Sequence, residues 1–426
     1  MTEKISLITE KISNYLWGFP LTIILIAGGI FLSVRLGFPQ LHVIKIFMKT
    51  KKTLCVKSKD GISAFSGFST ALAAAVGTGS VTGVGTALFT GGPGAIFWMW
   101  VSAFLGMGIS YCENYLGRKY SRKNKVCGAV NYLENVGRGK IIAVIYAFCS
   151  VLASLGMGNI VQANSITNAA KNGLGIPLHI TAFVLVIFTA LTVSGENSAT
   201  RLCTRLVPVM SVFFLLGSFY ILLLSPVKTL SAFEKIFRCA LSPKAFAGGI
   251  LGSAVCEGLK RGAFSNEAGL GSSVAANSSC CETNPENSGI LGMAEVFLDT
   301  IVICTITALV ILSGGDISSP DCAFSAYKNA LGNAGGIFIS ITLILFALAT
   351  IAGWFYIGEK SFIYLFPKRE IVYRCLCIFC VYLGGIYNPV LIWNLGDIFN
   401  ALTAIPNMTG LLVLSKEVIA PDFHKK

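Results

Sequence analysis

Gly77-Thr-Gly-Ser-Val-Thr-Gly-Val-Gly-Thr86 and Arg261-Gly-Ala-Phe-Ser-Asn-Glu-Ala-Gly-Leu-Gly271 lie inside apolar segments about 185 residues apart. A membrane-spanning helix gains nothing from such residues unless it breaks there. A break frees backbone N–H and C=O groups, which at membrane depth must line a protein cavity or bind something. Paired interruptions at matching places in two halves of a chain point to the binding site of a secondary transporter. The pattern reads as a solute carrier.

The rest of the chain supports a membrane setting. Of its 426 residues, 54% are hydrophobic and 12% charged, and the mean hydropathy is +0.72. A soluble domain carries roughly a quarter charged residues. Apolar stretches able to cross a hydrocarbon core of about 30 Å fall near 15–36, 62–89, 94–117, 141–166, 178–195, 206–225, 246–275, 289–313, 334–357, 371–387 and 391–415. These predict an all-α polytopic membrane protein with about eleven transmembrane helices.

The formal net charge of +13 invites a nucleic-acid reading, but its distribution argues against one. With the N-terminus outside, 21 of the 33 Lys and Arg fall in inner loops and 8 in outer ones. The inner excess includes Lys45, Lys49, Lys51, Lys52, Lys57, Lys59, Arg118, Lys119, Arg122, Lys123 and Lys125. This positive-inside bias places Lys425 and Lys426 in the cytoplasm. One outer loop dissents, with Lys228, Lys235, Arg238 and Lys244. The lipid bilayer is the expected partner, nucleic acid is not, and a bacterial-type cytoplasmic membrane is the expected location.

The first stretch starts after Lys4 and Lys11, ends at Val34-Arg35-Leu36 and lacks a small-residue cleavage site, so it reads as a span rather than a signal peptide. Most of the fourteen cysteines, among them Cys149, Cys203, Cys304, Cys375, Cys377 and Cys380, sit in or beside apolar spans, where thiols act as small hydrophobes. Cys127, Cys280 and Cys281 fall on the reducing inner side, which argues against a disulfide framework. A bridge between Cys239 and Cys322 in outer loops stays open. Three scattered histidines and one Cys-x-x-Cys pair inside an apolar span give no structural metal site.

No linker or soluble domain interrupts the sequence, so residues 1–426 form one transporter domain. With 15–36 set aside as an extra N-terminal span, ten stretches remain, in two sets of five at 61–225 and 246–415. The two glycine-rich segments head the two sets. Repeats with an odd number of spans enter the membrane from opposite sides and are inverted relative to each other. That is the LeuT-like 5+5 architecture, in which broken helices hold substrate and ions near the midplane.

Several segments carry a family resemblance. They are Ala71-Leu-Ala-Ala-Ala-Val-Gly-Thr-Gly-Ser-Val-Thr-Gly-Val-Gly-Thr86, Gly91-Gly-Pro-Gly-Ala-Ile-Phe-Trp-Met-Trp100, Gly158-Asn-Ile-Val-Gln-Ala-Asn164, Leu206-Val-Pro208 and Arg261 through Gly271. Asp299 through Thr307, Gly353-Trp354 with Gly358-Glu359, and Asp397 with Ile405-Pro-Asn407 complete the set. In this order, over nearly the whole chain, they resemble the alanine/glycine:cation symporter family. The resemblance implies an eleven-helix LeuT-like carrier driven by sodium, with an amino-acid site across the two breaks. The sequence departs from it at Ser80, where the family commonly has Asn, and at Ala349-Thr350, which offers one hydroxyl where carriers of this architecture often place two.

In the first break, Thr78, Gly79 and Ser80 are substrate candidates, since a half-helix N-terminus presents N–H groups to a carboxylate. Freed carbonyls near Ala74 and Val76, with the Thr350 hydroxyl, suit Na⁺ by hard-cation logic. The competing role for Gly79-x3-Gly83 is close helix packing. In the second break, Phe264, Ser265 and Asn266 offer an apolar wall, a hydroxyl and an amide. Glu267 is expected to pair with Lys260 or Arg261 as a gate at the inner mouth. Asn159 and Gln162, at i and i+3, share a helical face, and the resemblance makes Gln162 a contact. Trp354 is either an interfacial belt residue or a lid over a small substrate. Glu295 reads as structural, Asp299 is open between structure and ion or proton handling, and Glu113 is expected to form a surface pair with Arg118.

Together these readings predict uptake of a small neutral amino acid, alanine or glycine, coupled to Na⁺ by alternating access in a functional monomer. No organic cofactor is expected. The alternatives are coupling to H⁺, transport of serine or another small polar amino acid, or a passive channel. An intramembrane enzyme has no support, as no His-Glu-x-x-His or nucleophile–base–acid set is present.

Overall fold

The protein is described from a computed structural model at residues 2–55, 62–121, 128–137, 139–195, 197–241, 253–280, 284–314, 316–386 and 389–423. Lys57, Lys59, Arg122, Lys123, Lys125, Cys127, Lys244, Cys281, Lys425, Lys426 and positions 246–252 of the seventh stretch lie outside the described residues.

All regular structure among the described residues is helical. The N-terminal span is two helices, α1 (Thr2–Trp17) and α2 (Phe19–Arg35), hinged at Gly18. A short helix, α3 (Val43–Leu54), leads to the first interrupted pair, α4 (Ala64–Ala75) and α5 (Thr82–Gly91). Then follow α6 (Gly94–Lys119), α7 (Val130–Leu133), α8 (Gly139–Ala153), α9 (Gln162–Leu174), α10 (Leu178–Ser194), α11 (Ser198–Leu224) and α12 (Pro226–Ala240). The second interrupted pair is α13 (Ser253–Asn266) and α14 (Ser272–Asn277). The chain continues through α15 (Pro285–Val296), α16 (Thr305–Gly314), α17 (Cys322–Leu331), α18 (Asn333–Leu365), α19 (Glu370–Ile386) and α20 (Pro389–Leu414).

Among the described residues, seven helical runs are long and apolar enough to cross a membrane: Ser6–Arg35, Gly94–Lys119, Gly139–Leu174, Ser198–Leu224, Pro285–Gly314, Asn333–Leu365 and Asn394–Glu417. The other four predicted stretches are helical too. Two are the interrupted pairs, and two are the 17-residue helices α10 and α19. Two long runs contain wide turns of π-helix, Ser154–Val161 between α8 and α9 and Phe297–Cys304 between α15 and α16. Such turns are frequent at functional sites.

The interrupted helices cross each other antiparallel. A side chain at Gly67 would meet Ala276 and Cys280, one at Gly79 would touch Phe264 and Ser265, and one at Gly91 would meet Ala254 and Glu257. Small residues allow this close approach. Helix α13 runs parallel to α6, with Gly258 on Ala95 and Trp98 and Gly262 on Met99 and Ser102. Helix α18 backs α4, with Gly353 against Thr70 and Ala74. The N-terminal span is anchored outside this core, where Trp17 Nε1 donates to the Asp397 carbonyl at 2.7 Å. Cys239 and Cys322 are free thiols, so the bridge left open by the sequence is not formed.

Candidate functional site

The first break begins where α4 ends at Ala75. Val76 leaves the helical region at ψ 85°, Gly77 is extended, and a single 3₁₀ turn spans Thr78–Ser80 before α5 starts. The N–H groups of Gly77, Thr78 and Gly79 find no backbone acceptor among the described residues. The second break begins after Asn266. Glu267 takes φ +57°, Gly269 +95° and Gly271 +69° before α14 starts. A left-handed glutamate is uncommon and marks a residue held by its surroundings.

Asp299, in the π segment, joins the two breaks. Its Oδ1 accepts from Ser80 Oγ at 2.5 Å, and its Oδ2 accepts from Ser265 Oγ at 2.7 Å and Thr300 Oγ1 at 2.9 Å. Thr307 Oγ1 donates to the Ser80 carbonyl at 3.0 Å. On the other flank, Thr78 Oγ1 donates to Gln162 Oε1 at 3.0 Å. Phe264 lies over Gly79. Thr78, Ser80, Gln162, Phe264, Ser265, Asp299, Thr350 and Trp354 are each at most 1% exposed, so the centre is closed to solvent on every side. A charged carboxylate so deep is costly and usually functional.

A second oxygen cluster sits one turn back along α4. Thr350 Oγ1 lies 3.0 Å from the Ala73 carbonyl, 3.5 Å from that of Val76 and 3.0 Å from that of Phe346. A Cβ at Gly77 would fall 2.5 Å from the same hydroxyl, so glycine is required for this approach. The carbonyl beside Thr350 is that of Ala73. Ala74 packs with Phe264, Met157 and Trp354 in a small apolar cluster.

The polar partners of the breaks correct several expectations. Glu267 pairs with neither Lys260 nor Arg261; its Oε1 accepts from Trp354 Nε1 at 2.7 Å and its Oε2 from Ser272 Oγ at 2.6 Å. The left-handed turn at Glu267 points it inward. Lys260 and Arg261 lie instead 3.2 and 3.9 Å from the Asp397 carboxylate, and Arg261 lies 3.7 Å from Glu257. They sit at the Ala95–Trp98 end of α6, remote from Arg118, and so not at the mouth assigned to the inner side. Trp354 is fully buried, which removes the interfacial-belt reading.

Glu113 is not a surface pair for Arg118. It is buried, and its Oε1 accepts from the N–H groups of Gly269 (3.0 Å) and Gly271 (2.9 Å) and from Asn407 Nδ2 (2.6 Å). Tyr132 Oη donates to the other side of the same Asn407 amide. Arg118 donates to the Ser278 and Cys280 carbonyls, capping the end of α14. Glu113 is therefore a carboxylate that sequence reasoning missed. Glu113 lies 156 residues from Gly269 along the chain, so no local pattern links it to the second break that it touches.

Asn159 and Gln162 do not share a face. The π turn between them breaks the α-helical spacing, so Asn159 Nδ2 donates to the Ser154 carbonyl while Gln162 faces Thr78. Asn266 also stands apart from the centre. Its Oδ1 caps the Ala268 N–H at 3.0 Å, beside Gly106 of α6. Glu295 is buried on α15.

Comparison with known proteins places this geometry. The chain is 38% identical to the sodium/alanine symporter AgcS of Methanococcus maripaludis, over 97% of this chain and 95% of that protein. It is 31% identical to the probable sodium/glutamine symporter GlnT of Bacillus subtilis, over 95% and 87%. Among solved structures, MhsT in complex with L-phenylalanine superposes with a TM-score of 0.64 at 15% identity, covering 84% of this chain and 90% of that one. The shared fold is LeuT-like. The sequence profile of the sodium:alanine symporter family matches residues 2–424, and the chain belongs to that family.

Proposed function

We propose that this chain is a secondary active symporter that couples inward Na⁺ movement to uptake of a small neutral amino acid, alanine or glycine. The observation that carries the reading is the junction at Asp299, where hydroxyls from two antiparallel broken helices meet one carboxylate inside a sealed centre. A zwitterion needs both signs of partner there. The unpaired N–H groups of Gly77 to Gly79, with the Thr78 hydroxyl, suit the carboxylate. Asp299 supplies the counter-charge for an ammonium or a cation. Phe264 and Trp354 wall the space, and Gln162 orients Thr78. A Cβ at Gly79 would sit 3.5 Å from the Phe264 ring, so the gap between them holds little more than a methyl, which favours a small side chain.

Na⁺, as co-transported substrate, would take the Ala73 and Val76 carbonyls with the Thr350 hydroxyl, a set of uncharged oxygens suited to a hard cation. Both ligands grip the first break, so each favours the closed arrangement and their joint binding shifts the equilibrium further than either alone. The membrane potential adds drive for a net positive complex. Eleven crossings, one N-terminal span followed by a 5+5 inverted repeat, fit this scheme, because inverted repeats would make their leading helices antiparallel as the two interrupted helices are. The reading places the protein in a cytoplasmic membrane as a functional monomer, N-terminus outside and C-terminus inside. It is a transporter and not an enzyme.

The test is radiolabelled alanine uptake in proteoliposomes, with an inward Na⁺ gradient and then an inward H⁺ gradient. Saturable, concentrative uptake with Na⁺ alone supports the proposal. Accumulation with H⁺ alone moves the coupling site to Asp299 or Glu267. Competition by serine or glutamine stronger than by glycine reassigns the substrate, and unsaturable downhill flux indicates a channel.

A further inference from the structure

Helix α3 has two faces with different partners. Its inward face is packed against the protein. Ile46, Thr50 and Thr53 are buried, and Phe47 packs edge-on against Phe297 at 5.2 Å. Lys49 Nζ pairs with Glu286 at 2.6 Å and donates to the Asp422 carbonyl at 2.5 Å, and His42 stacks on Phe423. These contacts fix the rotation of the helix.

The outward face is then left bare. Ile44 is 77% exposed and Met48 and Leu41 each 68%. Ile44 and Met48, at i and i+4, form a stripe on α3, and Leu41 stands just before the helix, in the 3₁₀ turn Pro39–Leu41. Lys45 and Lys52 flank that stripe on one side and Lys51 extends it, and the three make no ion pair among the described residues. Water is a poor partner for such a stripe, and rotating the helix to hide it would break the Lys49–Glu286 and Phe47–Phe297 contacts.

The chain dictates where this face lies. Helix α3 starts eight residues after the membrane-spanning Ser6–Arg35 run and precedes the interrupted α4, so both neighbours hold it at the edge of the hydrocarbon layer. We propose that α3 lies in the bilayer interface, with Leu41, Ile44 and Met48 among the upper acyl chains and Lys45, Lys51 and Lys52 binding the headgroups of anionic lipids. Amphipathic helices with flanking lysines take this position. A juxtamembrane lysine gains roughly fivefold in partition toward an anionic surface. Through Phe47 the same helix touches Phe297, two residues before Asp299, so the lipid contact backs the element that joins the two breaks.

The experiment uses the full chain in liposomes and needs no transport assay, so it stands or falls separately from the symporter reading. Met48→Trp, and independently Ile44→Trp, report quenching by acyl-brominated lipids as the difference from the parent protein. Expected is strong quenching, at least about threefold greater with brominated phosphatidylglycerol than with brominated phosphatidylcholine at equal mole fraction. Lys45→Gln/Lys51→Gln/Lys52→Gln should bring that ratio close to one while quenching persists. No quenching at either reporter overturns the interfacial placement. A ratio near one in the parent, or one unchanged by the triple substitution, overturns the anionic-lipid site.

Discussion

Ser80 and Asp299 stand 219 residues apart in the chain and 2.5 Å apart in the fold. The contact joins the unwound part of the first interrupted helix to a π turn, and Ser265 completes it from the second. Asp299→Asn keeps the shape but removes the charge and turns one acceptor into a donor facing hydroxyls. Hydrogen bonds to a charged group are worth about 1.5–3 kcal/mol. Transport should fall roughly 10- to 100-fold, with monodisperse elution retained. Alanine uptake at fixed protein density checks this, and wild-type kinetics would remove Asp299 from the site.

Thr350 should act on the ion rather than on the amino acid. Its hydroxyl touches the Ala73 and Val76 carbonyls and makes no contact with Ser80 or Gln162. For Thr350→Ala, the Na⁺ concentration giving half-maximal uptake should rise about tenfold, one neutral ligand being worth about 1 kcal/mol or more. The alanine KM at saturating Na⁺ should stay within about threefold. A Na⁺ titration separates the two, and a selective rise in alanine KM would contradict the assignment.

Two glycines of the same stretch should behave oppositely. A methyl at Gly77 would lie 2.5 Å from Thr350 Oγ1, whereas one at Gly83 meets nothing within 4 Å. Gly77→Ala should displace the hydroxyl and cost about 1–3 kcal/mol as an overpacked site, with loss of Na⁺-dependent uptake. Gly83→Ala, inside α5, should retain uptake and gain up to about 1 kcal/mol through helix propensity. Thermal unfolding with uptake measures both. Equal effects would mean that the glycine run serves general helix packing.

How much of this was readable in the sequence follows from the range of each signal. The interruptions at Gly77–Ser80 and Phe264–Gly271 were legible because glycine and hydroxyl residues in apolar surroundings are a local signal. Spans were legible for the same reason, through length and hydropathy. Partners of buried charges were not. Proximity along the chain pairs Glu267 with Lys260 and Arg261, but its φ of +57° turns it toward Trp354, 87 residues away. Lys260 and Arg261 lie near Asp397, which no local pattern announces. The shared face drawn for Asn159 and Gln162 assumed α-helical spacing, and no sequence feature marks the π turn that separates them.

Glu113 gives the sharpest test of how the second break is held. The left-handed turn at Gly269 and Gly271 exposes two N–H groups that no helix can satisfy, and one carboxylate oxygen from α6 takes both. Gly271 has no substitute there, since a Cβ would lie 2.8 Å from Asn407 Oδ1. Glu113→Gln lowers the acceptor strength of that oxygen, and Glu113→Ala leaves both N–H groups and the Asn407 amide without it. Each buried donor left unsatisfied costs about 1–3 kcal/mol. Thermal unfolding of detergent-solubilised protein should therefore rank wild type above Gln and Gln above Ala, with uptake lost in the same order. If Glu113→Ala were as stable as the parent, the clamp would be dispensable. If it were stable but inactive, Glu113 would act in transport itself rather than in holding the break.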